Sequence, residues 1–87
     1  MTIHAADQWG PFAPSLDLVE RIGRLRTLRA IVHLTTGPRG QGAADLLRQA
    51  ERDPAVLPRA LDALTRMAAN DRRHVWASYA ALTRPVA

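Results

Sequence analysis

Beyond residue 15, apolar side chains recur at intervals of three and four, and glycine or proline closes each run. That rhythm commits the chain to a series of short amphipathic helices, because only a 3.6-residue period gathers such positions onto one face. Leu18, Ile22, Leu25, Leu28 and Val32 form the first stripe. Ser15 reads as its N-cap, with Asp17 and Glu20 complementing the helix dipole, and Gly37-Pro38 stops it after Thr36. Residues 31–36 are rich in β-branched side chains and also suit a short strand. No segment of the chain supplies a partner strand, so the helical reading is preferred.

The next segments follow the same logic. Residues 37–42, GPRGQG, read as a flexible loop, and Ala43, Leu46, Leu47 and Ala50 form the stripe of a second helix. Asp53-Pro54 is a restart signal, an acidic cap ahead of a proline at the first helical position. The third helix begins there, or at Pro58 after a short turn, and carries Leu57, Leu61, Leu64 and Ala68, with Ala60 and Met67 beside them. Asn70-Asp71 is read as a junction opening a fourth helix that buries Val75, Trp76, Tyr79 and Leu82 and ends before Pro85. A single helix over residues 58–83 is the competing reading. The fold expected is therefore all-α: a small bundle of three to five helices over residues 15–87, preceded by an extended aromatic and proline-containing arm over residues 1–14.

A chain of 87 residues has room for one such domain. It removes only about 60% of its unfolded surface from water, and without cysteine no disulfide or thiolate metal site reinforces it. Arginine and aspartate interrupt every apolar stretch before a membrane span is reached, and residues 1–14 lack the pattern of a secretory leader. The expected location is cytoplasmic. All twelve basic residues are arginine, which carries the pI to 11.3 although the net charge is only +4. They are spread along the chain rather than massed in a tail, so the pI is weak evidence of nucleic-acid binding.

Catalytic patterns are missing. Ser15 and Ser78, and His4, His33 and His74, fall in no triad order and no metal-ligand spacing, and His33 among Ile31, Val32 and Leu34 reads as a core or boundary residue. No cofactor is implied. The run from Thr35 to Gly42 has glycines and an arginine ahead of a helix, yet lacks the ending of a phosphate-binding loop. A helix-turn-helix arrangement is disfavoured, because the helix that would read DNA opens with Ala-Val-Leu-Pro and offers nothing to a base edge.

Two features point outward. Trp9 and Phe12, half of the four aromatic residues, lie in the arm and must be buried against the bundle end or a partner. Arg21 and Arg29 fall within the apolar arc of the first helix, where their guanidinium heads either snorkel to its edge or meet an acidic partner surface. The function expected is a non-enzymatic protein–protein interaction module, an accessory or adaptor protein that binds another protein or a second copy of itself. The alternative is a small nucleic-acid-associated protein contacting phosphates through Arg59, Arg66, Arg72 and Arg73.

Overall fold

The computed structural model describes residues 11–13 and 16–83. Among these, all regular structure is helical. Helix α1 spans Leu18–Thr36, α2 Gln41–Arg52, α3 Leu57–Thr65 and α4 Ala69–Thr83, with 3-10 turns at Gly37–Gly40 and Pro54–Val56. The all-α bundle expected from the periodicity is what forms, and its radius of gyration, 12.0 Å, is that of a close-packed chain of this length.

The start of α1 lies later than expected. Ser15 falls outside the described residues, and the cap is Asp17, whose Oδ1 accepts a hydrogen bond from the Glu20 N–H at 2.8 Å. Residues 31–36 stay helical despite their β-branching. Ile31, Val32 and Thr36 are buried, and the hydroxyls of Thr35 and Thr36 donate to the carbonyls of Ile31 and Val32 one turn back. Tertiary burial thus overrides a weak local preference.

Gly37 ends α1 at φ +57°, a left-handed conformation that suits glycine, and its N–H returns to the His33 carbonyl. The loop expected over residues 37–42 is instead one tight turn, with α2 already under way at Gln41. The turn is held close because Gly40 is buried against Val32 and Thr36 of α1. Asp53 caps the following 3-10 turn as foreseen, accepting from the Ala55 N–H at 3.0 Å.

The chain does break between α3 and α4, but at residues 66–68 rather than at Asn70-Asp71, which lie in the first turn of α4. Arg72 Nη1 donates to the carbonyls of Thr65, at 2.8 Å, and of Met67, at 3.3 Å, so an arginine of α4 satisfies the exposed end of α3.

Helix α1 packs on α2 and on α4, and α2 also packs on α3. Arg39, just past the end of α1, pairs with Asp71 at the start of α4, whereas Tyr79 near the end of α4 lies in the field of Glu20 and Arg24 near the start of α1. The two helices therefore run antiparallel. Leu25, Leu28, Ile31 and Val32 meet Ala43, Ala44, Leu47 and Ala50, with Ala60, Leu64, Val75 and Tyr79 completing the core.

Several residues assigned to the core lie outside it. Leu18 is 61% exposed and Leu82 70%, while Leu61 and Ala68 also face solvent. Length accounts for Leu18: α1 has 19 residues and α2 only 12, or ~28 Å against ~18 Å of helix, so the first turns of α1 run past the hairpin. The break before residue 68 removes Ala68 from the α3 stripe, which is centred on Ala60 and Leu64.

Candidate protein-binding surface

Of the residues expected to meet a partner, Trp9 lies outside the described residues. Phe12 is half-buried and packs against the core, flanked by buried Pro11 and Ala13. Arg21 secures this segment. Its Nη1 donates to the Pro11 carbonyl at 3.0 Å, and Nη2 lies 3.5 Å from the Leu16 carbonyl. The guanidinium that the sequence offered to an acidic partner is thus directed inward, at the arm.

Arg29 is similarly engaged. Glu51 of α2 has a side chain only 9% exposed, and it sits between two arginines of α1. Its Oε1 accepts from Arg26 Nε at 2.8 Å, and its Oε2 lies 3.1 Å from Arg29 Nη1 without hydrogen-bond alignment. Charge rather than a directional bond holds the second oxygen. A buried carboxylate needs such partners, so the pair clamps α1 to α2.

The four arginines of the basic face are not brought together as a line. Arg59, Arg66 and Arg73, spaced by seven, form one line only on a continuous helix, and the break at residues 66–68 divides it. Arg66 pairs with Asp62 at 2.9 Å, Arg73 hydrogen-bonds Asn70, and Arg72 caps α3. Arg59 makes no ion pair or hydrogen bond among the described residues, and it is exposed.

A different surface emerges at one end of the bundle. Leu18 and Val19 open α1, and Val19 is 82% exposed. Because α4 runs antiparallel, Leu82, one turn beyond Tyr79, lies at that same end, as does the arm residue Pro11 held by Arg21. Behind it Trp76 and Tyr79 meet edge to face, with ring centres 5.8 Å apart and planes at 80°, a favourable quadrupolar arrangement. Burial pushes the Tyr79 phenol above its ordinary range. That end of the bundle thus presents large exposed aliphatic side chains on the side towards which Tyr79 lies. Leu82 was assigned to the core by its register with Val75 and Tyr79. Val19 carried a signal, being apolar yet off the stripe of its helix.

At the opposite end, Arg39 donates to both oxygens of Asp71, at 3.1 and 3.0 Å. Those hydrogen bonds hold the Asp71 carboxyl below its ordinary range, with the charges of Arg39 and His74 acting the same way. His33 and His74 are both exposed. The exposure of His33 corrects its reading as a core or boundary residue. Among the described residues no three of His, Cys, Asp and Glu gather as a metal site, and no helix is long and apolar enough to cross a membrane. Comparison of the chain with family models, with curated proteins and with solved structures finds no match.

Proposed function

We propose that this chain is a non-enzymatic protein-binding module, an accessory or adaptor protein of the cytoplasm that docks a partner on the end carrying Leu18, Val19 and Leu82. The observation that carries the reading is the exposure of these three side chains at one end of the bundle, whereas Leu34, equally exposed, stands near the other end of α1. Apolar residues grouped at one place on a small domain mark interaction sites more often than scattered ones do. The partner is another protein or a second copy of this chain.

Substituting Val19→Glu together with Leu82→Glu tests this. Both positions are exposed, so the fold is expected to persist. Binding to the partner, recovered from the source cells and re-examined as a purified pair, is expected to fall at least tenfold. If the partner is a second copy, the mass by light scattering drops instead to that of the monomer. Unchanged association in both measurements refutes the reading.

Nucleic-acid binding through Arg59, Arg66, Arg72 and Arg73 is the weaker alternative, because three of the four guanidinium groups already have internal partners. Gel shifts across a salt series test it, since binding to phosphates must weaken steeply as salt rises.

A further inference from the structure

An open groove of about 510 Å³ runs between α1 and α2, away from the apolar end. Its floor is formed by Ala30 and Ala44, whose short side chains leave a trough where larger ones would close the helix seam. Arg29 and His33 line it from α1, and Arg48 from α2. Arg48 forms an exposed ion pair with Asp45 at 3.6 Å, beyond hydrogen-bond range, so among the described residues its guanidinium makes no hydrogen bond. Arg29 approaches Glu51 Oε2 to 3.1 Å without a hydrogen bond, which leaves donors of its planar fork. Two guanidinium groups, one from each helix, thus line one trough with unused donors.

We propose that this groove is a second docking site, which receives an acidic segment of a partner protein by pairing its carboxylates with Arg29 and Arg48. The inference rests on the protein-binding reading but concerns a separate surface. Guanidinium forks match carboxylates in a bidentate manner. The groove's openness favours a polypeptide lying across it over a small molecule, which would need enclosure on most sides to bind well. Charge distinguishes a peptide from a nucleic acid. Asp45, fixed by a hydrogen bond from Gln41 at 2.8 Å, stands on the same rim, and Glu51 lies against Arg29. Isolated carboxylates can avoid these acids, whereas an unbroken run of phosphates must pass them.

The test is an NMR titration of the whole protein with a short alanine-based helical peptide bearing glutamates at i and i+4. Its glutamine counterpart, inorganic phosphate and oligothymidylate are titrated in parallel. The expected result is that the glutamate peptide shifts the amides of Ala30, His33 and Ala44 and the Nε–H signals of Arg29 and Arg48, and that the glutamine peptide does not. Arg48→Gln is expected to weaken binding about tenfold with the melting temperature unchanged, because Arg48 supports no other element. Ala30→Leu, which fills the exposed floor, is expected to block binding by shape alone. Val19→Glu with Leu82→Glu is expected to leave this titration untouched, so failure of the apolar end and failure of the groove are read separately. Equal binding of the two peptides, tighter binding of oligothymidylate, shifts confined to other surfaces, or no shift with any probe would each overturn the proposal.

Discussion

Replacing Gly40 by alanine probes the turn on which the α1–α2 hairpin depends. The backbone there, at φ −96° and ψ 6°, accepts any residue, so the expected damage is steric. A Cβ would stand 1.9 Å from Thr36 Oγ1, 2.8 Å from Val32 Cγ1 and 3.1 Å from Thr36 Cβ. None of these can retreat cheaply. Val32 is fully buried, and the Thr36 hydroxyl is held 2.6 Å from the Val32 carbonyl in a buried position. Overpacking of this kind costs about 1–3 kcal/mol, and displacing the hydroxyl from its acceptor adds about 1 kcal/mol. Stiffening of the unfolded chain returns roughly 0.5–1 kcal/mol. The net loss is about 1–3.5 kcal/mol, against a total stability of roughly 4–13 kcal/mol for a domain this size. Thermal melts followed by circular dichroism should therefore fall by about 4–28 °C. Gly23→Ala is the control. It lies within α1 with nothing near its Cβ position, and it should raise stability by about 0.5–1 kcal/mol through helix propensity alone. In a Thr36→Ala background, which deletes the nearest clash, the cost of Gly40→Ala should shrink by about 1 kcal/mol or more. A Gly40→Ala protein within about 0.5 kcal/mol of the parent, or a cost identical in both backgrounds, would refute the close-approach argument.

Two further perturbations address the charged contacts. Asp71 has its carboxyl pKa lowered in the folded protein from 3.8 by the Arg39 hydrogen bonds. Its stabilising contribution is therefore complete above that value and lost as pH falls below it. Melting temperatures of the parent and Asp71→Asn should differ by a constant amount above about pH 5 and converge towards pH 2; a gap that persists in acid would show that the ion pair is not its source. Arg72→Ala removes the donor to Thr65 and Met67, and urea unfolding should show a loss of about 1 kcal/mol. An unchanged midpoint would mean that water satisfies the end of α3 equally well.

The helices were legible because their signals are local. Gly37-Pro38 and Asp53-Pro54 mark boundaries by backbone chemistry that no distant contact reverses. What escaped depends on distance in the chain. The cap on the end of α3 comes from Arg72, and the tightness of the Gly37–Gly40 turn rests on Thr36 and Val32 packing against Gly40. Neither relation has a period to read. Exposure at the ends was hidden for a related reason. Periodicity tells which face of a helix is apolar, but the relative lengths of α1 and α2 decide how much of that face is covered, leaving Leu18 outside. The site followed suit. Arg21 and Arg29 were visible as arginines within an apolar arc, but their partners, the Pro11 and Leu16 carbonyls and Glu51, appear only once the chain has turned back. The groove is likewise a property of two alanines facing each other across a seam.

The capping of α3 from the following helix has a consequence for cooperativity. Most helices terminate on groups adjacent in sequence, so their ends fray independently. Here the last carbonyl of α3, that of Thr65, and the Met67 carbonyl in the break are satisfied by a guanidinium whose position exists only when the first turns of α4 are formed. Opening of α4 at its start therefore releases the end of α3 as well, and amide protons on the two sides of the break should exchange as one unit. A nine-residue helix too short to persist alone in water is in this way folded into the same all-or-none transition as its neighbour.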